Sequence, residues 1–214
     1  MIDEGVIKFD CEWTRGPLPQ HAVISDLNRW RRPLFDAGLI GYCKDTGVGF
    51  GNISVRVGLD AHFVISGTQT GHLANLTRSH YAQVTDCEIQ NNRVACRGLV
   101  KASSESLTHA AIYELDPAIK AIVHIHSEAL WQELHGKIPT TNPGAAYGTR
   151  EMAEEFGRLY RDTDFADYGL AVMAGHDGGL ISIGHDMAEA AGRFLEISAA
   201  ASGSGDKGAI RFPR

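Results

Sequence analysis

The chain has 214 residues, 43% of them apolar and 21% charged, which suits one soluble globular domain with a core of its own. A formal net charge of −6, with no Lys/Arg-rich run, argues against nucleic acid or an acidic membrane surface as partner. No apolar run reaches membrane-spanning length, the start lacks a secretory pattern, and Cys11, Cys43, Cys87 and Cys96 form no Cys-x-x-Cys pair, so a reducing, cytoplasmic setting is expected.

Residues 1–19, with Trp13 and the run from Gly16 to Pro19, read as an irregular lead-in. From 20 to 37 the apolar positions Ile24, Leu27, Trp30, Leu34 and Phe35 recur at helical spacing, and Gly38 fits the stop. Pro33 falls inside this pattern and is expected to kink or divide the helix near Arg32. Residues 46–52 are glycine-dense. The alternation at 53–57 and the apolar run at 62–66 then predict two strands joined as a hairpin through Gly58 and Asp60. Residues 66–72, rich in hydroxyls and flanked by glycine, form a loop of the kind that aims N–H and hydroxyl groups at phosphate oxygens; an ordinary strand-to-helix turn has the same composition. Short strands are expected at 80–84 and 93–96, with Gln90, Asn91 and Asn92 as the turn.

The stretch from 103 to 127 carries the most chemistry. Ser103 or Ser104 reads as the N-cap of a helix that stops before Asp116–Pro117, and Glu105 falls in its first turn. A helix start offers free N–H groups to an anion. The strand at 121–126 places His124 and His126 on one face, and two neutral imidazoles make half of a typical zinc site. Further on, a short helix is expected at 129–134, a loop at 140–144 and a helix at 150–161 capped by Thr149. Strands follow at 170–174 and 180–184, with His176 between them. Asp186 and Glu189 open a last helix to about residue 200, and the tail at 202–214 is expected to be mobile or borrowed by a neighbouring subunit.

Five blocks in order carry a family likeness over roughly residues 25–200: Gly51 to Arg56, Ser66 to Gly71, Ser103 to Glu105 with His109 and the strand ending at His126, Tyr147 to Glu151, and Gly175–His176 with Gly184. Together they resemble the class II aldolase/adducin family. The resemblance implies an α/β fold, a three-layer α/β/α sandwich with a largely antiparallel central sheet, assembled as a homotetramer. It also implies a divalent metal, Zn2+ or else Mn2+, Co2+ or Fe2+, held by His124, His126 and His176 from two strands, with Glu105 as the base. Asn52, Ser66, Gly67, Thr68, Thr70, Gly71, Ser103 and Ser104 would cradle a phosphate or similar anion on a small-molecule substrate. The implied activity is a lyase that breaks a C–C bond through a stabilised enediolate. An epimerase, dehydratase or decarboxylase of the same family is the alternative, and an adducin-like scaffold without catalysis is the contrasting class. Sugar-phosphate aldolases of the family use a tyrosine to protonate the leaving aldehyde, and none stands between Trp131 and Tyr147. His72, His109 and His185 are read as structural or as supporting the metal ligands from behind.

Overall fold

The computed structural model describes residues 5–45, 47–58 and 60–203. Its elements in order are β1 (Asp10–Arg15), α1 (His21–Asp36), β2 (Gly41–Cys43), β3 (Val48–Phe50), β4 (Asn52–Arg56), β5 (Phe63–Ser66), β6 (Tyr81–Glu88) and β7 (Arg93–Gly98). Then come α2 (Ser106–Leu115), β8 (Ala121–His126), α3 (Glu128–Leu134), α4 (Arg150–Asp162), α5 (Phe165–Tyr168), β9 (Leu170–Val172), β10 (Gly179–Gly184) and α6 (Met187–Gly203).

Eight strands form one sheet in the order β1-β7-β6-β5-β4-β8-β10-β9, and β2 pairs with β3 in a separate ribbon. Every pairing in the large sheet is antiparallel except the parallel contact of β1 with β7. Strand side chains alternate between faces, and the sheet is apolar on both. On one face Phe63, Ile65, Ile122, Ile181 and Ile183 pack with Leu107 and Ile112 of α2 and Phe156 and Leu159 of α4. On the other, Ile53, Val64, Val123, Ile125 and Leu180 meet Leu27 and Leu34 of α1 and Phe194 of α6. The α/β/α layering expected for the chain is the one observed.

Several local expectations need correction. Residues 10–15 within the supposed irregular lead-in form β1, an edge strand with mostly exposed side chains and therefore no apolar stripe to announce it. Pro33 does not divide α1, which runs on to Asp36. The proline falls in the last turn, where few hydrogen bonds remain to lose, and buried Leu34 holds the turn down. Gly38, at φ +71°, then closes the helix, with the Leu39 N–H donating to the Leu34 carbonyl at 2.9 Å. The glycine-dense segment at 46–52, to which the sequence reading gave no element, contains β3, and α5 carried no legible signal. The tail beyond residue 203 lies outside the described residues. Among the described residues no helix is long and apolar enough to cross a membrane.

Candidate metal centre

β8 lies in the middle of the sheet, paired with β4 on one side and β10 on the other. His124 and His126 emerge from it on the face shared by Ile122, towards α2. The His126 Nε2 lies 3.1 Å from the His124 Nε2 and 3.0 Å from the His176 Nε2. One ring nitrogen from each of the three comes within 4.8 Å of the others. The His124 Nδ1 faces the Leu180 carbonyl at 3.1 Å, which makes Nδ1 the donor and leaves Nε2 as a lone pair directed at its neighbours. A hydrogen bond with the backbone of Asp177 does similar work for His126.

His176 is not on a strand, contrary to the expectation of ligands from two strands. It sits in the turn between β9 and β10, where its N–H donates to the Met173 carbonyl at 3.1 Å and its carbonyl accepts from the Gly179 N–H at 2.8 Å. Gly179 is also the register partner of His126, so the turn hangs directly opposite the second histidine.

Three imidazoles with ring nitrogens within 4.8 Å of one another repel if protonated, and burial disfavours their charged forms further. His124 is pushed down to about 4 by burial, and His126 and His176 well below the ordinary histidine value, also chiefly by burial. All three are therefore neutral near pH 7, the state in which imidazole binds a cation. Neutral nitrogens converging at this spacing fit a tetrahedral zinc-like ion with one position open.

Glu105 stands beside them, its Oε1 3.6 Å from the His176 Nε2. It caps α2, since the helix begins at Ser106 rather than at Ser103 or Ser104. The Ser103 carbonyl accepts the Ser106 N–H and hydroxyl, and the Ser103 Oγ accepts the Glu105 N–H, a turn that tips the carboxylate inward. Glu105 is 1% exposed, and neither carboxylate oxygen has a hydrogen-bond partner among the described residues. Burial raises its pKa to about 7, while Thr108 and the Lys8 ammonium act in the opposite direction. A buried carboxyl left without a donor is costly for folding alone and is of the type that marks a functional site.

The expected anion-binding residues divide into two groups. Asn52 begins β4 opposite His124, with its Oδ1 buried and unpartnered, and Ser103 and Ser104 are buried at the start of α2. A bridge between Gly67 and Ala102 brings loop 66–71 alongside them. Within that loop, however, several groups are already engaged. The Ser66 Oγ accepts the Ile53 N–H, the Thr70 hydroxyl donates to the Gly67 carbonyl, and the N–H groups of Gly67 and Thr68 donate to the carbonyls of His80 and Lys101. Gly71 packs so tightly that a Cβ would stand 2.1 Å from the Gly41 carbonyl. The His109 Nδ1 meets the Ser54 Oγ, which also meets the Tyr113 hydroxyl, both at 2.8 Å. His72 and His185 are exposed at the surface.

Three further residues shape the site though the sequence reading gave none of them a role in it. Arg31, 1% exposed, donates to the carbonyls of Thr70, Leu73 and Ala74 and so clamps the end of the loop. Its place on the apolar stripe of α1 was the available signal. Tyr147 lays its ring 4.4 Å from that of His176. The backbone that carries it depends on Gly148 (φ +67°), where a Cβ would stand 2.6 Å from the Ser104 carbonyl. The third is Lys8, whose Nζ lies 3.7 Å from the centre of the Tyr147 ring.

Known proteins were compared with this geometry. The family model described as Class II Aldolase and Adducin N-terminal domain matches residues 44–203. No curated protein matches the sequence. Among solved structures, YgbL from Klebsiella pneumoniae, a candidate aldolase/epimerase/decarboxylase, is similar over 91% of this chain and 95% of its own, with a TM-score of 0.63 and 21% identity. An L-fuculose 1-phosphate aldolase is similar over 91% of this chain and 92% of its own, at 0.63 and 19%. A sugar-phosphate aldolase from Thermotoga maritima covers 87% of this chain and 98% of its own, at 0.62 and 20%. At such identities the structural likeness speaks for the fold.

Proposed function

Starting from a chain that belongs to the class II aldolase and adducin N-terminal domain family, we propose that it is a metal-dependent lyase cleaving a C–C bond of a small hydroxylated carbonyl compound that carries an anionic group. The observation that carries this reading is the convergence of three neutral imidazole nitrogens beside a buried, unpartnered carboxyl group. His124, His126 and His176 would hold the ion, with zinc the first choice and Mn2+, Co2+ or Fe2+ the others. When bound, the ion supplies Lewis acidity towards a carbonyl and its neighbouring hydroxyl. Glu105, at about 7, is suited both to take and to return the proton on the carbon next to that carbonyl. Asn52, Ser103 and Ser104 form the anion-facing wall, with Ser66, Gly67, Thr68, Thr70 and Gly71 as its rim. We extend the proposal to a homotetramer in the reducing cytoplasm. The four cysteines, all free thiols, fit that compartment, and light scattering would test the assembly.

A second reading, an epimerase or decarboxylase using the same residues, is favoured by the likeness to YgbL. A screen of free and phosphorylated ketoses and keto acids with zinc-loaded protein separates the two. Cleavage releases two carbonyl fragments, epimerisation conserves mass, and decarboxylation releases carbon dioxide. An adducin-like scaffold would take up no zinc by way of these histidines. That result would sink the catalytic reading.

A further inference from the structure

Arg31 is a buried charge that the proposed chemistry leaves unused. It lies in α1 with 1% of its surface exposed, yet no carboxylate pairs with it among the described residues. Its guanidinium donates to the carbonyls of Leu73 at 2.6 Å, Thr70 at 3.1 Å and Ala74 at 3.3 Å, and the Phe35 ring lies 5.7 Å away. Carbonyl dipoles offset part of the desolvation of the cation but bring no countercharge. Arginine stays protonated in such a place, so one full positive charge is held behind the loop at 66–71.

The hydroxyls of that loop are engaged, but its amides are not. The N–H groups of Gln69, Thr70 and Gly71 meet no acceptor among the described residues, although Thr70 and Gly71 are buried. Buried amides are nearly always paired, so two unpaired side by side point to a ligand. Gln69 has φ +57°, in the left-handed region that a non-glycine residue rarely enters, and successive N–H groups around such a residue form an anion-binding concavity. The Gly71 amide belongs to the same peptide unit as the Thr70 carbonyl that Arg31 holds. The guanidinium therefore lies roughly 5 Å from that N–H, one hydrogen bond and one peptide unit away. At that range, and away from bulk water, its charge is felt by whatever the amides bind.

We propose that Arg31 is a specificity-determining residue whose buried charge is the counter-ion of a phosphate group held by the amides of Gln69, Thr70 and Gly71. Several amides in a row suit the several oxygens of a phosphate better than the two of a carboxylate. This inference rests on the reading of an anion-bearing substrate and names both the anion and the residue that answers its charge.

The test is calorimetry on the full chain without added metal, titrated with inorganic phosphate, with hydrogen exchange read by mass spectrometry to locate the bound ion. Phosphate should slow exchange at residues 69–71. Arg31→Met should weaken phosphate binding about tenfold or more, and Arg31→Lys, which keeps the charge without the fork, should stay within about threefold of the parent. If Arg31→Met does not fold, Arg31→Gln is equally neutral and keeps a donor for one carbonyl. Parent-like affinity in the neutral variant would overturn the proposal. So would an equal loss in Arg31→Lys, which marks a clamp for the loop and nothing more, or protection that bypasses 69–71. A parent that binds no phosphate would overturn it too. A zinc titration of the same protein reads the three histidines separately, so the metal-site reading stands or falls on its own.

Discussion

At the scale of residues, the site is a contest between desolvation and charge. His124, held at about 4, and His126, His176 and His109, all depressed by burial, bind fewer protons folded than unfolded. The stability that depends on their neutrality is present above their ordinary value of 6.5 and is lost as pH falls towards the folded values. Glu105, raised from 4.5 to about 7, has the opposite sign: its protonated form favours the fold below 4.5, and that contribution is lost as pH rises through 7. Four imidazoles outweigh one carboxyl between 4.5 and 6.5, so the metal-free protein should melt at lower temperature at pH 5 than at pH 7. A melting temperature that holds or rises on acidification would contradict the assignment. Glu105→Gln should lower turnover on the best substrate by about 10²–10⁴-fold while zinc content stays at the parent level. Full activity in that variant would remove Glu105 from the proton transfer. His124 and His126 could be found from spacing alone, because a strand repeats every two residues. Tyr147 and Lys8 could not be read as partners, because nothing in a linear pattern brings positions 8 and 147 together.

At the scale of elements, β8 carries two of the histidines because it is apolar on its far face and flanked on both edges, which fixes its register. Alternation made β4 legible, apolar runs of strand length did so for β5, β8 and β10, and proline and glycine marked the ends of α1 and α2. The short, glycine-rich β2 and β3 and the exposed β1 offered no such pattern. The start of α2 is instructive. Ser103 and Ser104 have the composition of a cap, yet the turn they form passes that position to Glu105 and buries the carboxylate. β4 is tied to α2 through the Ser54 hydroxyl, between His109 and Tyr113. Ser54→Ala would leave two buried polar groups without their partner and should cost about 2–4 kcal/mol. Denaturant unfolding would register this as a lower midpoint. An unchanged midpoint would show that the network contributes nothing.

At the scale of the whole molecule, three layers bring together a strand, a turn and a helix start from separate parts of the chain, and a bound ion would join them. Anything that binds the folded state alone stabilises it, by about 4 kcal/mol at a thousandfold excess over Kd. Removing metal with a chelator should therefore lower Tm, re-addition of zinc should restore it, and His176→Ala should abolish the response. A Tm indifferent to zinc in the parent would mean that the three rings close on nothing. The sequence by itself determined the paired histidines of β8, because a strand repeats every two residues, while the layered architecture and the candidacy of His176 and Glu105 followed from its family resemblance. Only the tertiary structure decided that His176 arrives on a turn, that the hydroxyls of Ser66, Thr68 and Thr70 are engaged by backbone groups of Ile53, Gly5 and Gly67, and that residues 5–8 lie across the site. Those outcomes depend on which distant groups compete for each hydrogen bond and each buried surface, and that competition exists only once the chain is folded.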